Sequence, residues 1–287
     1  GDSLWGEAMH SSADPGDNCD LYAEVYVGRM PVSSAAEASL LVSKTINYEI
    51  PTDFDSKRKV LMLGEVVFPS DYELGDTITA DGAAIIDTSV YQPHLASNAD
   101  VTPVRLYETY SLYPGSFPLT RDATIDSLNA GMNHVIHTGH GYKYNMSVGD
   151  ESILNYDAAT LTNGQKLFSM YLLSCTNVAF DTDCIAEYFL LNATGGAYAV
   201  TGSSRSAFPL TSANYLREYY DLYFRQDIVQ LGKAFTMSRE PWTASAAGES
   251  ADRWTHFIYN LLGDPESCMF QGAARSFAVT KPSTAKY

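Results

Sequence analysis

Two short apolar runs in this 287-residue chain each end in a small residue followed by a side chain capable of chemistry. Asn133-His134-Val135-Ile136-His137-Thr138-Gly139-His140-Gly141 delivers an imidazole, and Tyr171-Leu172-Leu173-Ser174-Cys175-Thr176 delivers a thiol. A thiol with its reference pKa of roughly 8.5 is mostly protonated at neutral pH, and an imidazole that takes the proton turns it into a nucleophile. Gly141 lets the main chain pass close to a substrate carbonyl with its N–H free, as an oxyanion donor requires. Gly139 and Ser174 are small and keep the mouth of such a site open.

Other readings compete for the same residues. Cysteine is among the residues most often buried simply as a small hydrophobe. His134, His137 and His140 invite a metal reading, yet side chains alternate along a strand, so His134 and His137 face opposite sides and cannot hold one ion. The helical His-x-x-x-His spacing of zinc sites is also absent.

The elements that must position these groups follow from pattern. Short apolar runs bounded by turn residues suit buried parallel strands, and sites in open α/β sheets assemble at the strands' C-terminal edge. Lys59–Leu63 is such a run, ending at Gly64-Glu65, and Val101–Tyr107 and Ala197–Thr201 are further strands. Leu21–Arg29 alternates well enough for a strand as well. Ser34 with Glu37 forms a capping box for a helix to about Glu49, offering Leu40, Leu41, Ile46 and Tyr48 for burial before Pro51. Helices are expected near 77–90, from Thr120 or Asp122 to about Asn129 with Gly131 as the stop, and over Asp181–Leu191, Asn214–Phe224, Ile228–Ser238 and Arg253–Leu261. A polar loop is expected from Gly141 to Asp157, then a short helix. This strand–helix alternation predicts an α/β fold: a mainly parallel sheet with helices on both faces.

Composition bounds the function. A chain that is 45% hydrophobic can bury a sizeable core, and no apolar run nears the roughly 18 residues of a membrane span. Acidic residues number 34 against 18 basic, a net charge of −16, which disfavours nucleic acid and anionic membranes and favours cationic peptides. Removing Cys175 from the four cysteines leaves Cys19, Cys184 and Cys268, too few for a disulfide scaffold. Asp14, Asp17 and Asp20 in the opening loop do not match an EF-hand, and a solvated acidic loop is the plainer reading.

A hydrophobic strand ending His-Gly, followed by another ending in Cys, resembles the caspase-like (clan CD) cysteine peptidases. The chain is similar in detail to the gingipain family. The matching pieces, in the family's order, are Ala23-Glu24-Val25-Tyr26-Val27-Gly28-Arg29, Thr138-Gly139-His140-Gly141, Leu173-Ser174-Cys175, Gly202-Ser203-Ser204 and Asn260-Leu261-Leu262-Gly263-Asp264-Pro265.

The resemblance implies a caspase-like α/β/α sandwich and a secreted cysteine endopeptidase. Cys175 would be the nucleophile, His140 the proton donor to the leaving amine, and the N–H groups of Gly141 and Cys175 the oxyanion donors. Glu65 would orient the imidazole. Asp76 would line a pocket for a basic P1 residue, Arg ahead of Lys, with Phe208 as its aromatic wall and Ser204 at the substrate site. Residues 1–50 would be the remnant of an N-terminal half-domain, 51–272 the catalytic domain, and 273–287 a linker towards a missing C-terminal module. Expected partners are protein or peptide substrates and the chain's own cleaved N-terminal segment, with no nucleic acid and no membrane span. The expected location is extracellular or on the cell surface of a prokaryote. The chemistry would need no cofactor; structural calcium is compatible, and its ligands are not identified. The competing functions are a catalytically inactive peptidase-like adhesin or binding module, and a metal-dependent hydrolase built on the histidines.

Overall fold

Apolar and β-branched residues make strand β1 (Lys59–Gly64), whose Val60 and Met62 pack into one buried cluster while Leu61 and Leu63 enter another. Such alternation between two cores is what a sheet covered on both faces requires. In the computed structural model, which describes residues 7–8, 16–17, 19–68, 73 and 81–272, β1 lies inside a seven-stranded sheet. The others are β2 (Thr102–Tyr107), β3 (Phe117–Pro118), β4 (His134–Thr138), and, beyond a separate small sheet of β5 (Gly141–Tyr142), β6 (Asn145–Val148) and β7 (Glu151–Leu154), β8 (Phe168–Leu173), β9 (Ala197–Ser203) and β10 (Tyr259–Leu262). The order is β10-β9-β8-β4-β1-β2-β3, parallel except where β10 runs against β9.

Helices cover both faces. Tyrosines of α6 (Pro209–Arg225) and residues of α7 (Leu231–Met237) and α9 (Ala251–Ile258) share one cluster with α2 (Gly82–Ile86). The opposite cluster takes Leu41 of α1 (Ala35–Glu49), Leu128 of α3 (Arg121–Ala130), Ala158 of α4 (Asn155–Thr160) and Ile185 and Phe189 of α5 (Ile185–Leu191). Each fully buried Leu, Ile or Phe of these layers contributes about 1.5–3 kcal/mol over its exposed state. Half of the expected α1 capping box forms: the Glu37 N–H donates to Ser34 Oγ at 3.2 Å, but Glu37 Oε2 accepts from Ser33 N at 2.6 Å, one residue before the cap. Leu41 and Tyr48 are buried, but Ile46 is exposed. Thr120 caps α3, and Gly131 (φ 88°) stops it.

Four expectations are corrected. Leu21–Arg29 forms no strand: Arg29 alone bridges Leu262, and Val25 and Val27 are exposed, so the alternation has no face to bury. The segment after His140 is no loop but the β5–β7 meander, with Met146, Val148 and Ile153 fully buried. The helix expected from Asp181 starts at Ile185. The last helix ends at Ile258 and becomes β10, because Tyr259–Leu262 completes the sheet's open edge. The helix expected near 77–90 begins, in the described residues, at Gly82 and continues past Ile86 as a π-helical stretch to Leu95. Pro93 has no N–H for the α ladder, and the chain closes with an Ala96 N–H bond to Tyr91 O at 2.8 Å. Residues 273–287, read as a linker, and Asp76 lie outside the described residues. No helix among the described residues is long and apolar enough to cross a membrane.

Candidate active site

Parallel register sets the site. β4 and β8 are neighbours with Thr138 paired to Leu173, and the Gly139 N–H extends the ladder to Leu173 O at 3.1 Å. His140 and Cys175 each stand two residues beyond that pair, so adjacent strands about 4.8 Å apart deliver both to the same edge. His140 is exposed, and Cys175 is a half-buried free thiol. The Ala207 N–H points at Cys175 Sγ, 3.4 Å away. Directly after Cys175, Thr176 takes a left-handed conformation (φ 55°), which costs a β-branched residue roughly 1–3 kcal/mol.

Glu65, one residue past β1, is buried under this edge. One carboxylate oxygen accepts the His140 main-chain N–H at 2.6 Å and the other accepts the Ser147 hydroxyl at 2.6 Å. Burial raises its pKa, opposed by those two hydrogen bonds and by the charge of His140. Gly139 has to be glycine, because a Cβ there would collide with the Glu65 carboxylate. Ser147 acts three ways at once: its hydroxyl holds Glu65, its N–H donates to His140 O at 3.0 Å, and its carbonyl lies 2.8 Å from His137 Nε2. That Ser147–His140 bond makes Gly141 and Met146 a non-hydrogen-bonded pair, so the Gly141 N–H points away from β6.

Asn177 is fully buried where the β5–β6 hairpin meets the end of β8. Its Nδ2 donates to Tyr142 O and Asn145 O, both at 2.7 Å, and its Oδ1 accepts from the Ser174 hydroxyl. Sequence reasoning missed both Ser147 and Asn177. The alternation Asn145-Met146-Ser147-Val148 was a period-two signal for the strand that carries Ser147; nothing local marked Asn177.

The remaining expected residues are placed as follows. Phe208 is half exposed at the head of α6, beside Ala207. Ser204 is buried, donating its hydroxyl to Ile258 O at 3.0 Å and accepting from Asn260 Nδ2 at 3.2 Å. His134 and His137 do lie on opposite faces of β4: the first rests between Ser169 Oγ (2.6 Å) and Tyr223 OH (2.8 Å), the second against Ser147 O. Burial depresses both, to about 3 and about 4. Cys184 is buried and pushed up to about 11, while Cys19 and Cys268 are exposed. Among the described residues no three His, Cys, Asp or Glu side chains are placed to hold a metal ion; Asp14 lies outside them.

Gingipain R2 of Porphyromonas gingivalis is 25% identical over 170 residues, which is 58% of this chain and 21% of that protein. Gingipain R1 of the same species matches at the same identity, over 16% of its length. The chain therefore spans about a fifth or less of the length of the curated relatives it matches. The crystal structure of the Arg-specific cysteine proteinase gingipain R superposes with a TM-score of 0.73 at 18% identity, over 92% of this chain and 60% of that one. The complex of Porphyromonas gingivalis RgpB pro- and mature domains gives 0.71 at 17% identity, over 95% and 63%. These structures share the fold, a caspase-like sheet with helices on both faces. The family model of peptidase family C25 matches residues 6–270, nearly the whole described length, and the chain belongs to that family.

Proposed function

We propose that this chain carries the catalytic edge of a secreted cysteine endopeptidase, acting through Cys175 and His140 on peptide bonds after basic residues, Arg ahead of Lys. The observation that carries the reading is the shared register of β4 and β8, which delivers imidazole and thiol to one edge above a buried, doubly hydrogen-bonded Glu65. Cys175 Sγ attacks the scissile carbonyl, His140 protonates the leaving amine, and a water then hydrolyses the thioester. The developing oxyanion is met by the main-chain N–H groups of Gly141 and Cys175. Glu65 fixes the His140 backbone and favours the imidazolium electrostatically. No cofactor enters these steps, and any calcium ion would be structural.

Specificity is supported by the Arg-specific relative, the net charge of −16 and the exposed Phe208, which follows the Ala207 whose N–H faces the sulfur. Asp76 completes the pocket in this reading, with Ser204 supporting its wall. Location outside the cell or on its surface, and association with a cleaved N-terminal segment, follow the same relatives. The test is a peptide library varied at P1, with Cys175→Ala as control. Cleavage after Arg or Lys that vanishes in Cys175→Ala supports the reading. Acidic or aliphatic preference would overturn the Asp76 assignment, and activity surviving Cys175→Ala would overturn the nucleophile.

A further inference from the structure

Two main-chain N–H groups can serve one oxyanion only if the strand ends that carry them keep a fixed separation. The Gly141 end is a short hairpin and the Cys175 end is a strained turn, so neither is held by its own ladder alone. One side chain spans them. Asn177 Nδ2 grips both carbonyls that flank the β5–β6 turn, Tyr142 O and Asn145 O, while Oδ1 takes the hydroxyl of Ser174, the residue before Cys175. A Cβ on Gly141 would collide with that same Oδ1, so the hairpin and the amide are in direct contact.

We infer that Asn177 is a positioning residue that sets the spacing between the Gly141 and Cys175 oxyanion donors, an inference that rests on the peptidase reading above. Only an amide meets the demand: Nδ2 has two hydrogens for two carbonyls, and Oδ1 is an acceptor. Aspartate has the same shape but, ionised, turns an oxygen on two carbonyl oxygens. The hairpin has a second tether, the Ile185 N–H to Lys143 O at 2.6 Å, so losing the amide loosens the spacing without freeing the hairpin from the fold.

The experiment compares two reactions of Cys175 in wild type, Asn177→Asp and Asn177→Ala, using a peptide substrate taken from the P1 screen. Peptide hydrolysis needs the oxyanion donors; alkylation by iodoacetamide is a displacement at carbon and does not. The expected result is a fall in kcat of about 10²-fold, the scale of a misplacement near 1 Å, with KM and the Cys175 alkylation rate changed by less than about threefold. Because burial raises a carboxyl pKa, Asn177→Asp should also recover part of its kcat relative to wild type as the pH falls and its protonated carboxyl donates to one carbonyl. Unchanged kcat in both variants would overturn the inference. So would alkylation falling in step with hydrolysis, since that marks collapse of the Cys175 turn rather than altered spacing. Should Asn177→Asp melt below the assay temperature, Asn177→Ala carries the same comparison. A wild-type chain lacking Cys175-dependent hydrolysis would instead overturn the functional reading, and this inference with it.

Discussion

The two ends of strand β4 carry the same residue type in opposite circumstances. His134, at its start, is buried with both ring nitrogens within 2.8 Å of hydroxyls, amid a network in which Tyr48 OH donates to Asn133 Oδ1 at 2.7 Å and Tyr223 OH and Asn133 Nδ2 hold Phe270 O. His140, two residues past the strand's end, is exposed, and it is held by its backbone: N–H to Glu65, carbonyl to Ser147, with no described group bonded to the ring. A ring satisfied on both sides locks a fold; a ring whose main chain is fixed while its nitrogens stay open can exchange protons. The difference shows that here the surroundings, not the residue type, separate a structural histidine from a candidate catalytic one.

Substitution at the two ends should separate activity from stability. At the exposed end, His140→Ala or Cys175→Ala is expected to lower kcat by at least about 10³-fold while the melting temperature stays within a few degrees. At the buried end, His134→Phe should leave kcat within about threefold. It should cost about 1–3 kcal/mol in urea unfolding, because the Ser169 hydroxyl loses its partner inside the core and Tyr223 OH keeps only Phe270 O. Equal loss of activity from both substitutions would erase the contrast.

Ser147→Ala sharpens it. The Glu65 carboxylate would lose one of two hydrogen bonds in a buried setting, which is worth roughly 1.5–3 kcal/mol, so kcat should drop about 10- to 100-fold. An unchanged rate would mean that Glu65 does not need to be held.

Acid should act on the buried end first. His134 and His137 are held near 3 and 4, against roughly 6.5 in the unfolded chain. The unfolded state thus takes up the extra protons: stability is complete above about pH 6.5 and is lost as the pH falls from there towards 4. Linkage gives about 2 kcal/mol per ring between pH 6.5 and 5. His256, also held near 4, adds to the loss, whereas Glu65, with its raised pKa, opposes it. Urea midpoints at pH 7 and pH 5 measure the slope, and His134→Phe should flatten it. The smallest effect lies away from both ends: Thr120→Ala removes the cap of α3, at about 1 kcal/mol, with activity untouched.

The strand ends were legible because β1, β4 and β8 are continuous apolar runs, and a run of that kind has few other stable forms. The Ser34 cap of α1 was legible because its hydrogen bond closes within four residues, although the Glu37 carboxylate reaches Ser33 rather than Ser34. β6 was hidden by its polar half, since Ser147 turns its hydroxyl to Glu65 and Asn145 its amide to Ser152. Leu21–Arg29 misled because alternation predicts a strand only when a partner is present, and only Arg29 finds one. Asn177 was illegible for a deeper reason: its three partners come from Tyr142, Asn145 and Ser174, brought together only by the folded sheet.

Competitive labelling with iodoacetamide, read thiol by thiol by peptide mass mapping, tests the central claim most directly. Exposure alone would rank Cys19 and Cys268 ahead of the half-buried Cys175, with Cys184 last. The account predicts that Cys175 reacts first, and that His140→Ala returns it to the order set by exposure. Labelling of the wild type in order of exposure, unchanged by loss of His140, would contradict it.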